Sequence, residues 1–419
     1  MVQTIEITAA PIVEVLEVWP DLEKALACCV ERSQRICGGI NTLDFTLSKD
    51  QLMIQKAFRE FAEQFIEPAV EEIEKTCVIP PAVIKGLGEM GVFGMAFPEE
   101  YGGSDAGYLA LVLALEQIAK VSSGISNVIG AHYGSAGIIR LYGNEAQKQK
   151  YLPKCCSGEH IASVAWTEPG TGSDPKQLTT TAKWDGEHYV LNGTKRFITS
   201  PNYEGPCMVF AKDLDNGGIQ CFIVDKKTEG FVLSEPWSKI GEHGAPVYDI
   251  YLQNVKVSPE DRVGDSGYPI LQGMISYGKI GMCCTALGNI AAAYEESLKY
   301  AQEKTHRGDP ITKFQAIQLR IADIACYYET AKWMTYRLGF EADKAIGHMG
   351  DVAKESAMTK LIVGWCSAQA AHTAMQIHGS YGLMDDYKIS RIYKEVAFTP
   401  NVEGVEDMQK IIVTKYLVN

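Results

Sequence analysis

Apolar positions along the chain change their period twice. From Ser48 the spacing is helical: Leu52, Ile54, Phe58, Phe61, Ala62, Phe65 and Ile66 fall on one helical face, behind Ser48-Lys49-Asp50-Gln51, which has the form of a capping box. Pro68 closes that segment. Further helices are predicted over 81–89, 108–120, 125–142 and 145–155. Near Ala162 the pattern shortens to apolar runs separated by Gly, Asn and Asp. Strands are predicted over 179–183 and 188–191, joined at the Asp185-Gly186 turn, and then over 207–211, 219–224, 248–252 and 255–257. From about Tyr268 the helical period returns, over 274–305, 313–346, 352–379 and 406–416. Helices, then strands, then helices give an α+β chain with a sheet set between two helical blocks. The boundaries are expected at 46–160, 161–270 and 271–419. Residues 1–45, with a short helical period over 22–30, read as an N-terminal extension whose role is not legible.

Composition narrows the function. With 419 residues, 46% hydrophobic and 22% charged, the chain can bury a large core. A net charge of −13 speaks against a phosphate-backbone binder, so no nucleic acid is expected. The longest apolar runs, 109–115 and 280–287, fall short of the roughly 18 residues of a membrane helix. Glu6, Glu14 and Glu17 precede the first basic residue, Lys24, which fits neither a secretory nor a transit leader. A cytoplasmic protein is expected. Its 12 cysteines include the doublets Cys28–Cys29, Cys155–Cys156 and Cys283–Cys284 but no CxxC, and read as buried, reduced thiols. The eight His are scattered without HxxxH or HExxH, so no metal is expected.

The chemistry is concentrated in four segments. Trp166-Thr167-Glu168-Pro169-Gly170-Thr171-Gly172-Ser173-Asp174 stands where helices give way to strands; its glycines and hydroxyls let backbone approach an anionic or heteroaromatic ligand. It is neither a phosphate P-loop nor a GxGxxG turn. Gly193-Thr194-Lys195-Arg196-Phe197-Ile198-Thr199 follows, then Gln376-Ile377-His378-Gly379-Ser380-Tyr381-Gly382, and finally Asn401-Val402-Glu403-Gly404. Singly each is weak; in this order and spacing they resemble the acyl-CoA dehydrogenase family over residues 46–419.

That resemblance implies an N-terminal α-helical domain, a middle β-barrel-like domain and a C-terminal four-helix-bundle domain, with FAD as cofactor. It implies that Trp166, Thr167 and Ser173 line the flavin, that Phe197 (Trp in most of the family) packs on its ring, and that Thr199 bonds near N5. Lys304, Gln315, Gln376, Gly379 and Ser380 are implied to reach the adenine and pyrophosphate end, partly from a neighbouring subunit of a homotetramer. Ser173, Lys279 and Gly404 are implied to meet the acyl-CoA substrate, and Glu403 to be the catalytic base. The implied reaction is α,β-dehydrogenation of the acyl-CoA, with electrons passed to an electron-transferring flavoprotein. Two relations of that reading stay open: action on a carrier-protein thioester or as an enoyl-CoA reductase, and a non-catalytic flavoprotein scaffold. The chain departs from the family at Lys304 and Lys279, where Arg is usual, at Ser276, Val405 and Asp407, and at Gly278, where some members carry an alternative Glu. No basic residue lies between Val121 and Ala131, so an uncharged acyl group (short, branched or alicyclic) is expected against Ile125, Val128 and Ile129. His132 is the one residue there that, protonated, could meet an anion. Tyr133 and the 333–336 segment read as packing.

Overall fold

The computed structural model describes residues 46–345 and 352–418. The chain divides into two units, Met1–Lys49 and Asp50–Asn419, and the site described below lies within the second. The reading of 1–45, its short helix and Cys28–Cys29 included, lies outside the described residues.

The first helical block comprises α1 (Lys49–Phe61), α2 (Val70–Thr76), α3 (Pro81–Glu89), α4 (Gly107–Val121), α5 (Ser123–Tyr142) and α6 (Glu145–Cys156). Ser122 caps α5, and a capping box between Asn144 and Gln147 opens α6. Strands follow: β1 (Ser163–Ala165), β2 (Thr181–Trp184), β3 (Tyr189–Thr199), β4 (Pro206–Asp213), β5 (Ile219–Asp225), β6 (Phe231–Leu233), β7 (Val247–Val257) and β8 (Arg262–Val263). They form an eight-stranded sheet ordered β6-β7-β3-β2-β4-β5-β8, with β1 pairing β4 in parallel. Its core holds Leu191, Ile198, Val209, Phe222, Ile250 and Val255. The two runs expected over 248–252 and 255–257 are one strand. Asn254 takes a left-handed φ of 55° inside it and exchanges hydrogen bonds with Asn192, so the ladder continues through what reads as a break.

The second helical block is α7 (Gly267–Glu303), the short strands β9 (Thr305–His306) and β10 (Asp309–Pro310), α8 (Gln315–Lys344), α9 (Ala353–His378), α10 (Lys388–Glu395), α11 (Phe398–Asn401) and α12 (Glu406–Val418). The 37-residue α7 packs against α4, α5, α8 and α9. Its residues from Ser276 to Ala293 are buried without interruption, as a helix enclosed on every side requires. Cys155, Cys156, Cys207, Cys221, Cys283, Cys284 and Cys366 are buried free thiols, while Cys326 is exposed. Among the described residues no helix is long and apolar enough to cross a membrane.

Candidate active site

A cavity of about 530 Å³ opens between α5, the sheet, α7 and the segment from α11 to α12. That is a volume typical of small-molecule sites. Helix α5 presents Asn127, Gly130, Ala131 and Gly134 to it. The backbones of α5 and α7 nearly touch: a Cβ on Gly130 would stand 2.9 Å from the Gly281 Cα, and one on Gly134 would stand 3.5 Å from the Gly278 Cα. Ile125, Val128 and Ile129, expected as acyl contacts, are buried elsewhere on α5 and do not line the cavity. At 100° per residue their side chains fall on other faces of the helix. His132 is likewise turned away. It is buried edge-on against Phe93, its Nδ1 accepts from the Ala162 N–H at 3.2 Å, and burial pushes its pKa down to about 3. A neutral imidazole there cannot stand in for a cation.

The sheet side of the cavity carries Trp166, Thr167, Ser173, Phe197 and Thr199, all expected site residues. A register shift between Lys195 and Ile198 and a left-handed φ of 57° at Phe197 break the alternation of β3. That bulge leaves the Phe197 ring 55% exposed, beside Trp237 at 5.4 Å. The Thr167 carbonyl accepts from the Arg196 N–H at 2.8 Å. Below it lies a buried ion pair that joins the two motif segments. Lys195, 0% exposed, donates to Glu168 Oε1 at 2.8 Å and to the Trp166 carbonyl at 3.2 Å. Glu168 also accepts from the Thr179 and Thr180 N–H groups. Burial pushes the Glu168 carboxyl up, but Lys195 and these donors outweigh it and hold it well below the usual carboxylate range. One ion pair thus fastens the Trp166–Asp174 loop to the Gly193–Thr199 strand.

Glu403 and Gly404 stand opposite, on the connection between α11 and α12, with φ of 51° and 85°. Two successive left-handed residues, one a glutamate, need support. Lys360 on α9 donates to the Gly404 carbonyl at 2.6 Å, and Gln409 Nε2 to the same oxygen at 2.9 Å. A Cβ on Gly404 would be strained at this φ and would lie 2.4 Å from Gln409 Nε2, pushing aside the amide that holds the turn. The Glu403 carboxylate occupies the space left by Gly278, where a Cβ would stand 3.1 Å from Oε2. Removal from water pushes the Glu403 pKa up, and the charges of Lys279 and Lys360 pull it back. Lys279 is buried beside this carboxyl rather than on the cavity wall, and burial lowers its own pKa to about 8.

The pH consequence has a definite sign. A carboxylate acts as a base only when ionised, so a reaction in which Glu403 served as base would rise with pH through its pKa. Lys279→Met removes an attraction that lowers that pKa. The acid limb of kcat/KM should then move to higher pH, with activity on that limb falling by up to about tenfold for each unit moved, and Lys279→Arg should restore it. A limb unmoved in Lys279→Met would show that the cation does not act on a titrating Glu403.

Lys304, Gln315, Gln376, Gly379 and Ser380 do not line this cavity. Lys304 ends α7 and Gln315 opens α8, while Gln376, Gly379 and Ser380 lie at the end of α9, where Lys304 lies over the Tyr381 ring at 4.6 Å and Arg320 donates to Gln376. Gln315, Gln376, Gly379 and Ser380 are exposed.

Three family models match in succession: the acyl-CoA dehydrogenase N-terminal domain over residues 48–159, the middle domain over 163–255 and the C-terminal domain over 265–418. The chain belongs to the acyl-CoA dehydrogenase family. It is accordingly an FAD-dependent oxidoreductase acting on CH–CH bonds. Among its relatives is a 3-(aryl)acrylate reductase of Clostridium sporogenes, 38% identical over 87% of this chain and 98% of that protein. Another is the caffeyl-CoA reductase–Etf complex subunit CarC of Acetobacterium woodii, 32% identical over 88% of this chain and 99% of that one. The solved butyryl-CoA dehydrogenase of Megasphaera elsdenii superposes with a TM-score of 0.86 at 29% identity, covering 90% of this chain and all of that one. The residues present suit the flavin. The exposed Phe197 ring offers a flat face, and Thr167, Ser173 and Thr199 set hydroxyl and backbone groups beside it.

Proposed function

We propose that this acyl-CoA dehydrogenase-family enzyme desaturates an acyl-CoA between its α- and β-carbons, with Glu403 as the base. The observation that carries this reading is the Glu403 carboxyl at the cavity wall, seated in the space of Gly278 and held by the Lys360–Gly404 hydrogen bond. An α-proton next to a thioester is weakly acidic, and a positioned carboxylate in a water-poor pocket is what its removal needs. The Glu403–Gly404 backbone sets the carboxylate's aim, and a backbone N–H beside the thioester oxygen would stabilise the charge that develops there. Bound FAD supplies the hydride acceptor. Trp166, Thr167, Ser173, Phe197 and Thr199 would hold its ring end. Lys304, Gln315, Gln376, Gly379 and Ser380 would hold the adenine and pyrophosphate end from a neighbouring copy in a homotetramer, which accounts for their absence from the cavity wall and for the exposure of the last four.

The acyl group carries no distal anion in this reading, whether short, branched or alicyclic. Lys239 is a cation on the cavity wall, but its ammonium donates to the Glu242 and Ala245 carbonyls and lies 5.1 Å from the Phe398 ring. A second reading, reduction of an enoyl-CoA with an aryl substituent, is favoured by the wall of Gly130, Ala131 and Gly134. That wall has no side chain larger than a methyl to crowd a ring, and one relative is named for aryl acrylates. The electron partner would be an electron-transferring flavoprotein, as in the complex named for the Acetobacterium relative, and the free buried thiols suit a reducing cytoplasm. Purified protein should be yellow and should bleach anaerobically with a neutral acyl-CoA. Retention of flavin colour across aliphatic and 3-arylpropanoyl thioesters alike would overturn the reading.

A further inference from the structure

The end of the cavity away from the base is polar, and its polarity is unused. Gly134 packs on Gly278, beside the Glu403 carboxylate, while Gly130 packs on Gly281. Asn127 lies seven residues from Gly134 along α5, about 10 Å away at 1.5 Å per residue. Across from Asn127, on the loop between β6 and β7, stands Glu242. It is 1% exposed, yet it lines the cavity. Asn127 Nδ2 donates to its Oε2 at 2.7 Å, while its Oε1 is buried with no hydrogen-bond partner. Its backbone is left-handed, with φ of 52°, an uncommon conformation for a glutamate. The neighbouring cation does not satisfy Oε1, because the Lys239 ammonium is bonded to backbone carbonyls. Nor does His243, which bridges Glu74 and the Lys239 carbonyl. An orphaned carboxyl oxygen on a residue that lines a ligand cavity calls for a partner, and a small shift of the side chain would bring it within reach of the ligand.

We propose that Glu242, anchored by Asn127, reads the far end of the acyl group, and that the acyl group carries a hydroxyl there. This rests on the acyl-CoA reading above and narrows it. Burial pushes the Glu242 carboxyl up, toward its neutral form, and Lys239 opposes that. A hydroxyl both donates and accepts, so it satisfies Oε1 in either protonation state. A distal carboxylate would be repelled by the ionised form, and a hydrocarbon end would leave Oε1 orphaned. The separation of two helical turns between base and reader suits a ring-bearing or medium-length acyl chain rather than a two- or three-carbon one.

The test compares flavin reduction by 3-(4-hydroxyphenyl)propanoyl-CoA and 3-phenylpropanoyl-CoA in wild type, Glu242→Gln and Glu242→Met. Wild type should prefer the hydroxylated thioester by about tenfold or more in kcat/KM. Glu242→Gln, which keeps an acceptor and a donor, should retain most of that preference. Glu242→Met should lose it, with flavin content and melting temperature reporting that the fold survives. Equal rates for the two thioesters in wild type, or a Glu242→Met variant that slows both equally, would overturn the inference while leaving dehydrogenation intact. Bleaching by neither would overturn the underlying reading and this one with it.

Discussion

Replacing Glu403 by Gln should leave folding and flavin content unchanged and cut the rate of flavin reduction by about 10²–10⁴-fold or more. Gln has the same shape and fits the space of Gly278, so the Lys360–Gly404 and Gln409 hydrogen bonds that set the left-handed turn persist. Only the proton acceptor is lost. Because the defect lies in the chemical step, kcat and kcat/KM should fall together, with binding of the thioester little changed. Rapid-mixing measurement of flavin bleaching checks this directly. A variant with near-normal bleaching would remove Glu403 from the role of base and send the search to another carboxylate.

Breaking the Glu168–Lys195 pair should produce the largest loss of stability of any single change at the site. Both side chains are removed from solvent, and each is the other's main compensation. Taking one partner from a buried pair costs about 3–5 kcal/mol, because the remaining charge is stranded. Lys195→Met should therefore lower the melting temperature by about 5 °C and strip flavin, since the loop bearing Trp166, Thr167 and Ser173 comes loose from β3. Glu168→Gln combined with Lys195→Met should be milder than the sum of the two single variants, the coupling expected of groups in contact. The contribution of Glu168 also has a pH window. Its folded pKa is depressed, so the stability it adds is complete above the ordinary carboxylate value of 4.5 and disappears as pH falls through the lower folded value. Unfolding curves and flavin absorbance check both claims. A Lys195→Met protein as stable and as yellow as wild type would contradict them.

The elements were readable because their periods are strong. Helices α4 to α9 start and stop within a few residues of the apolar pattern, apart from α7, which begins at Gly267, seven residues before the expected start. The expected strands are short where the ladder shifts register, as at Asn254 in β7 and between Leu191 and Gly193 in β3. The candidate site was half legible. Motif residues Trp166, Thr167, Ser173, Phe197, Thr199, Glu403 and Gly404 do gather on one cavity. Asn127, Lys239, Glu242 and Trp237 were missed, since three of them sit on a loop between β6 and β7 that has no period. For α5 the choice of Ile125, Val128 and Ile129 followed hydrophobicity, when the cavity face is set by phase. The spacing of Asn127, Gly130, Ala131 and Gly134, at i, i+3, i+4 and i+7, was the available signal. Lys360 and Gln409 act through backbone carbonyls, a role that leaves no trace in a sequence pattern.

The glycine contacts between α5 and α7 also bear on how adaptable the enzyme is. Beside Glu403, the cavity is bounded by main chain at Gly130, Gly134 and Gly278, and main chain has no rotamers to exchange. A wall of side chains yields gradually to a bulkier guest by rotating out of its way, whereas this one yields only if two long helices separate. A homologous series of acyl groups branched near the β-carbon should therefore meet an abrupt limit in size, with little entropy lost in ordering the wall for those that fit. Adaptability is left to the side chains that line the rest of the cavity, Asn127, Trp237 and Glu242 among them, which can change from one descendant of this protein to the next without disturbing the backbone around Glu403.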